Sequence, residues 1–136
     1  FADKIKKKFR SIGPQAMFHG FQGQKFVEEK MKNASIIVIP SLWEEPFGLV
    51  VAEAMSNGAC IIASKVGGIP EIIKDNGILI EKIDHKKLSL KIDCLIQDNK
   101  LRRSYQMKAW KNFELSSNIS SQKLDDFRKI IFSNFN

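Results

Sequence analysis

Short runs of consecutive apolar residues alternate along this chain with longer segments in which apolar residues recur at helical spacing. Two of the runs, at 35–39 and 59–63, contain no polar residue between their aliphatic side chains. This pattern predicts strands that are buried on both faces, as in a parallel sheet. A further strand is predicted at 77–80 and a short one at 16–20.

Helices are predicted wherever apolar residues recur at i, i+3 and i+4. The predicted helical segments are 2–11, 24–33, 48–57, a short turn at 71–74, a helix after Asp84 that Asp98 and Asn99 end, a helix from there to about Phe113, and a last helix at 120–132. Strands that alternate with helices form βαβ units, so the sequence predicts a single α/β domain over 1–136. We expect a Rossmann-like, three-layer fold with a mostly parallel sheet, in which 84–136 is mainly helical.

The order of these elements also predicts where a ligand would bind. In an open parallel sheet, ligands bind beyond the carboxyl ends of the strands. Three turns follow predicted strands here, at 19–21, 40–48 and 64–70. We therefore expect all three turns to lie along one rim of the sheet.

The stretch 45–53 carries the most suggestive chemistry. Glu45 lies in a Pro-Phe-Gly turn and Glu53 lies on the helix that follows. Between them, the backbone amides of Gly48, Leu49 and Val50 fall in the first helical turn, where they have no partner inside the helix and are available to an anion. Free amides for phosphate and carboxylates for hydroxyls suit a sugar nucleotide. The alternative is an acidic turn whose helix-start glutamate is stabilised by the helix dipole.

Composition narrows the set of partners. The 136 residues carry a formal net charge of +7, which admits a nucleotide, an acidic membrane surface or nucleic acid. The lysines are spread along the chain, which favours solvated surfaces first and contact with a membrane surface second. Nucleic acid ranks third, because no basic patch with interleaved aromatic residues supports stacking on bases, and we expect no nucleic-acid partner.

The cysteines, the absence of a long apolar run and the first residue bear on the compartment and on the extent of the chain. Cys60 and Cys94 form neither a metal-ligand spacing nor a disulfide framework, which fits a reducing cytoplasm. No apolar run is long enough to cross a membrane, and no signal peptide is visible. The chain begins at Phe1 rather than at an initiator methionine, and we expect it to be a piece of something longer.

Three motifs in order resemble one family. The stretch 45–53 is similar to the E-x7-E motif of retaining glycosyltransferases, family four especially, and 53–58 and 66–71 match that family's downstream sequence. The resemblance implies a GT-B fold, in which two Rossmann-like domains enclose the active cleft. This chain would be the C-terminal, donor-binding domain, truncated at its N-terminal side, because the family's first βα segment with its Arg and Lys is not found here. Lys65 also stands where the family commonly has Asp or Asn.

The resemblance also implies residue roles. The family's first motif glutamate contacts the donor sugar near the reacting centre and the second contacts the ribose hydroxyls, which implies a catalytic Glu45 and a nucleotide-binding Glu53. The other donor-binding residues that it implies are Phe47, Gly48, Leu49, Val50, Met17, Phe18, His19, Gly67 and Gly68. For His19, a contact to the base, a general base and a packing histidine at the rim all remain open.

We therefore expect this chain to be the donor-binding half of a transferase. We expect a sugar to move from a nucleotide-diphosphate sugar to an acceptor glycan or lipid that a missing N-terminal domain binds, in cell-surface glycan or glycolipid synthesis. The resemblance implies neither a metal nor another cofactor, and the chain alone is expected to be inactive. The expected location is the cytoplasm, with the inner face of the membrane as a second expectation. The alternatives are a non-catalytic module that binds nucleotide sugars and a GT-B sugar-nucleotide epimerase.

Overall fold

The computed structural model describes residues 2–113, which form a parallel sheet with helices on both of its faces. The strands are β1 (Ile36–Ile39), β2 (Cys60–Ser64) and β3 (Ile78–Ile80). The helices are α1 (Ala2–Ile12), α2 (Gln24–Asn33), α3 (Leu49–Ser56), α4 (Ile69–Ile73), α5 (His85–Gln97) and α6 (Asn99–Lys111). The predicted helix at 120–132 lies outside the described residues.

The sheet has the strand order β1-β2-β3, and both pairings are parallel. In the register, Val38 lies opposite Ile62, and Ile62 lies opposite Ile78. The central strand is therefore β2, and all five of its residues are buried. The carboxyl ends of β1 and β2 meet at the same edge of the sheet.

Alternate residues of β2 point into two separate hydrophobic clusters. Ile61 and Ala63 pack in one cluster with residues of α3 and α4 and with Ala109. Cys60 and Ile62 pack in the other with Leu95 of α5. Because a strand directs successive side chains to opposite faces, these two clusters are the two interfaces between three layers. The predicted α/β, three-layer architecture with a parallel sheet is confirmed.

The helix boundaries follow from local sequence signals. Gly48 precedes α3 in the left-handed conformation, with φ of 55°, and Gly58 follows it with φ of 65°. Asp84 and Asp98 each accept a hydrogen bond at the start of a helix, from the amides of Lys87 and Leu101. Aspartate is among the preferred N-cap residues, which explains why the helical segment breaks at Asp98 as predicted.

Two predictions about strands are wrong. Residues 16–20 form no strand in the described part of the chain, because an extended segment needs a ladder partner for its backbone groups and here it pairs with none. β1 is a strand, but Ile36, Ile37 and Val38 are only half-buried rather than buried on both faces. Within residues 2–113, β1 pairs with β2 along one of its edges only, so less of the chain covers it.

Candidate functional site

Two turns at the carboxyl end of the sheet are joined by hydrogen bonds from backbone amides. The amide of Gly67 donates to the carboxylate of Glu44, and the amide of Gly68 donates to the carbonyl of Glu45 at 2.7 Å. The turns after β1 and β2 therefore lie together at one rim, as predicted for 40–48 and 64–70. Neither glycine can carry a side chain without movement. A Cβ on Gly68 would lie 2.7 Å from the Pro46 carbonyl oxygen, and one on Gly67, whose φ is 52°, would overlap the Glu45 backbone.

Helix α3 begins at this rim with unpaired amides. The first intrahelical bond runs from the amide of Val51 to the carbonyl of Gly48 at 2.9 Å. Among residues 2–113, the amides of Leu49 and Val50 have no carbonyl partner. The Leu49 side chain is 69% exposed, so this helix end faces solvent. Such an end offers N–H donors and the positive end of the helix dipole to an anion.

Gly48 has a structural role in addition to its predicted place beside a ligand. It is buried, and a Cβ at this position would meet the side chains of Ile69 and Ile72 at 3.3 and 3.4 Å. Its left-handed conformation and this close approach to α4 both favour glycine. Gly48 therefore fixes the direction in which α3 leaves the rim.

The two motif carboxylates differ in their surroundings. Glu45 is half-buried, and its Oε1 accepts a hydrogen bond from the Ser41 hydroxyl at 3.0 Å. Glu53 is exposed, on the face of α3 opposite to the buried Val51 and Met55, as predicted. It lies one turn beyond Leu49, a rise of about 6 Å along the helix. The arrangement is one oriented carboxylate at the rim and one open carboxylate beyond the free amides.

Glu53 opens into a cavity of about 500 Å³ between α3 and α2. The α3 wall consists of Glu53, Ser56 and Asn57, and the α2 wall includes Gln24, Glu28 and Lys32. A short ion pair joins the Lys32 ammonium to the Glu28 carboxylate at 2.7 Å. The cavity is thus lined by polar side chains, and one of them is Glu53, a predicted donor-binding residue.

The predicted base contacts at 17–19 lie against α1 and α2. Met17 is 68% exposed, and the Lys6 ammonium lies 5.9 Å from the centre of the Phe18 ring. The His19 ring packs edge-on against Phe26 with 5.0 Å between the ring centres. These contacts join Phe18 to α1 and His19 to α2. The part of 17–19 in donor binding stays a prediction.

Sequence reasoning missed Ser41 and Glu44 as members of the site. Ser41 orients Glu45, and the Glu44 carboxylate takes up the Gly67 amide. For Ser41 the sequence signal was weak, since it consisted only of a serine four positions before a glutamate in a turn. The second could not be found from local sequence, since it joins residues 23 positions apart. These contacts occupy the amides of Gly67 and Gly68 within the fold, so their predicted contact with the donor also stays a prediction.

Lys65 follows β2 at the same rim but takes part in a surface ion pair. Its ammonium lies 2.9 Å from the carboxylate of Glu81, and both side chains are largely exposed. The hydrogen bond from Lys65 and its charge hold the pKa of Glu81 below its ordinary value. Lys65 is therefore accounted for as a surface residue.

The family model of group 1 glycosyl transferases matches residues 3–112. The chain belongs to the group 1 glycosyltransferases. This glycosyltransferase chain is 32% identical over 109 residues to an uncharacterised glycosyltransferase of Methanocaldococcus jannaschii, with 72% of the chain and 28% of that relative aligned. It is also similar to the solved C-terminal domain of a group 1 glycosyltransferase from Francisella tularensis, at 31% identity and a TM-score of 0.71 over 82% of this chain and 59% of that domain.

The fold likeness extends further than the sequence likeness. HepE of Anabaena, solved in complex with UDP-glucose, superposes on 95% of the glycosyltransferase chain and 37% of its own, with a TM-score of 0.77 at 21% identity. Together these structures show a fold of GT-B type, as the motifs implied. The chain spans about 28% of its archaeal relative's length. Within residues 2–113, no helix combines the length and the apolar composition that crossing a bilayer requires.

Proposed function

We propose that this chain is the donor-binding portion of a retaining glycosyltransferase of family four. It holds a nucleotide-diphosphate sugar, whose sugar is transferred to a glycan or lipid acceptor in the synthesis of cell-surface glycans or glycolipids. The acceptor is bound by polypeptide outside these 136 residues, so the chain alone is inactive. The N-terminal part of the donor domain likewise lies outside them, and the enzyme works in the cytoplasm, at or near the inner face of the membrane.

One observation carries the proposal. The amides of Leu49 and Val50 are unpaired among the described residues and lie between two carboxylates, Glu45 at the rim and Glu53 one turn along α3. The rim that presents them is fixed by the contacts of Gly67 and Gly68. Along the chain, a carboxylate, free amides and a second carboxylate follow one another. A nucleotide sugar carries its donor sugar, its diphosphate and its ribose in the same order, so the amides suit the diphosphate and the carboxylates suit the sugar hydroxyls.

The chemistry follows from this placement. Glu45, oriented by Ser41, contacts the donor sugar at the reacting centre, and Glu53 accepts hydrogen bonds from the ribose hydroxyls. As the bond to the sugar breaks, negative charge grows on the leaving diphosphate, and fixed N–H donors stabilise it without reorganising. Neither a metal nor another cofactor is required. The remaining donor contacts are proposed at Phe47, Gly48, Gly67 and Gly68, with the base near Met17, Phe18 and His19.

The known proteins support the choice of donor. HepE is solved with UDP-glucose, with UDP and with UDP and glucose. Its likeness to this chain concerns the fold, and the nature of the donor here is inferred from the site as well as from that complex. A nucleotide sugar is therefore the proposed substrate class.

The test uses the longer polypeptide that includes this chain. Glu45→Ala should lower kcat by about a hundredfold or more, because a group that acts on the transition state is lost. Glu53→Ala should raise KM for the donor with a smaller change in kcat. Glu29→Ala, an exposed glutamate of α2 outside the site, is the matched control and should leave both constants unchanged.

The result that would contradict the proposal is an unchanged kcat in Glu45→Ala. Release of nucleoside diphosphate in the wild type separates an enzyme from a non-catalytic binding module. Analysis of the products formed from donor alone, without acceptor, separates a transferase from a sugar-nucleotide epimerase. Each alternative therefore has its own readout in the same assay.

A further inference from the structure

The net positive charge of the chain is concentrated in its first helix and in the segment that follows. Residues 4–27 contain six lysines and arginines and neither an aspartate nor a glutamate. They account for six of the seven net positive charges, since the other 16 of the 22 basic residues share the rest of the chain with all 15 acidic residues. Such an asymmetry of charge indicates an anionic partner for this part of the molecule.

Five of these cations belong to α1, and all five side chains are exposed: Lys4, Lys6, Lys7, Lys8 and Arg10. Lysines on other elements have carboxylate partners, as in the 2.7 Å ion pair of Lys32 with Glu28. Among residues 2–113, no ion pair joins a cation of α1 to a carboxylate. The positive charge of α1 is therefore uncompensated within the described part of the chain.

Three of the lysines form a row along one side of α1. Lys4, Lys7 and Lys8 are separated by three and four residues, so they share a helix face. Like charges at this spacing repel each other, so the row does not stabilise the helix. Ile12 continues the row four residues beyond Lys8, and its side chain is 61% exposed. The lysine row thus ends on exposed apolar surface, to which Met17 in the next segment adds.

This combination of charge and apolar surface matches an acidic membrane surface. A cluster of four to eight lysines and arginines on an amphipathic helix is attracted to acidic phospholipid headgroups, and apolar side chains beside it enter the boundary with the acyl chains. Nucleic acid would instead favour aromatic side chains on which bases stack. The exposed apolar residues at the end of the row, Ile12 and Met17, are not aromatic, so they suit lipid better than bases.

We propose that α1 binds an acidic phospholipid surface through Lys4, Lys7 and Lys8, with Ile12 entering the headgroup boundary, and so holds the enzyme at the membrane. The inference rests on the proposed function for its setting, because it names the surface that contacts the inner face of the membrane. None of these residues belongs to the rim or to the proposed donor contacts. Because the attraction is electrostatic, binding weakens as the salt concentration rises.

The test measures how the longer polypeptide that includes this chain sediments with lipid vesicles. Vesicles of phosphatidylcholine alone are compared with vesicles that also contain phosphatidylglycerol, which is acidic. Wild type should sediment with the acidic vesicles only. The triple variant Lys4→Gln, Lys7→Gln, Lys8→Gln should bind them about a hundredfold more weakly, because each lysine near an acidic surface strengthens binding by about fivefold.

The matched control removes the same charge from other helices. Lys91→Gln, Lys100→Gln, Lys111→Gln changes three exposed lysines of α5 and α6 and should weaken binding by less than about threefold. Arginine at the three α1 positions keeps the charge and should retain binding. Ile12→Ser tests the apolar anchor and should weaken binding by about fivefold.

Each other outcome overturns the proposal. If wild type does not sediment with acidic vesicles, or if the control variant loses as much binding as the α1 variant, α1 is not a membrane surface. Retention on single-stranded DNA that the α1 variant loses, without vesicle binding, would assign the helix to nucleic acid. The proposed function is judged separately, since an unchanged kcat in Glu45→Ala contradicts the donor site whatever the vesicles show, and absent vesicle binding leaves the donor site standing.

Discussion

Gly67 and Gly20 both have positive φ, one in the turn after β2 and the other at the end of the predicted strand 16–20, yet their surroundings differ. The φ of Gly67 is 52° and that of Gly20 is 68°. A Cβ on Gly67 would overlap the backbone of Glu45, whereas a Cβ on Gly20 would meet a Phe18 ring atom at 3.9 Å and nothing closer. The turn that contains Gly67 is fixed by its contact with the turn after β1 across the rim. The turn that contains Gly20 is set by its own local conformation.

The difference shows what makes a loop a usable site. The turns after β1 and β2 are held together by hydrogen bonds that the amides of Gly67 and Gly68 donate to the Glu44 carboxylate and the Glu45 carbonyl, so the carboxylate and amides between them have a defined position. Segment 16–20 has no strand neighbour among the described residues, and its contacts with the helices include the packing of the His19 ring on Phe26. Functional groups that must be held to within a fraction of an ångström are better placed on turns that are hydrogen-bonded to each other, such as those after β1 and β2.

The largest expected effect is on stability, and it comes from the glycine that touches the opposite turn. Gly67→Ala should lower the free energy of unfolding by about 3 kcal/mol, through left-handed strain plus the displacement of the Glu45 backbone. Gly20→Ala carries the same kind of strain without the overlap and should cost about 1 kcal/mol. Urea denaturation of both variants measures the difference. Equal losses would show that the rim contact contributes nothing.

A smaller effect is expected from the side chain that bonds to Gly67. Glu44→Gln keeps the shape of the acceptor and removes its charge, so the bond to the Gly67 amide weakens. The expected loss is about 1 kcal/mol, since hydrogen bonds to charged groups are stronger than neutral ones. Glu29→Gln is the control for loss of an exposed carboxylate of α2. Thermal unfolding would count against this contact if Glu44→Gln and Glu29→Gln melted at the same temperature.

The smallest effect is expected from the Lys65–Glu81 ion pair at the same rim. The folded-state pKa of Glu81 lies below its ordinary value because of Lys65, so the pair stabilises the fold above that ordinary value. The contribution is lost as the pH falls through the lowered pKa. Lys65→Met should therefore change stability least among these variants, and only in the neutral range. A larger loss at neutral pH than that of Glu44→Gln would assign Lys65 a role in the rim itself.

Much of the fold is encoded locally and could be predicted. The unbroken apolar run at 59–63 gives a fully buried β2, and the glycines at 48 and 58 delimit α3 at nearly the predicted residues. Asp98 separates α5 from α6 because its side chain caps the second helix. In each case a few neighbouring residues determine the outcome.

What could not be predicted depends on distant parts of the chain. The apolar run of β1 is like that of β2, but its burial depends on which elements lie beside it. The extended pattern of 16–20 likewise becomes a strand only where a ladder partner exists. In the site, the positions of Glu45 and Glu53 followed from the motif, whereas the contact of Glu44 with Gly67 and the wall supplied by α2 required the tertiary structure.

The central claim is that the amides of Leu49 and Val50, which have no partner within residues 2–113, bind the donor diphosphate. The most direct measurement is a titration of the longer ¹⁵N-labelled polypeptide that includes this chain with UDP-glucose, followed by the amide resonances of residues 2–113. We predict that the Leu49 and Val50 amides shift most, in wild type and in Glu29→Gln alike. If the Leu49 and Val50 resonances stay unmoved by UDP-glucose, whether or not those of 17–19 shift, the claim is contradicted.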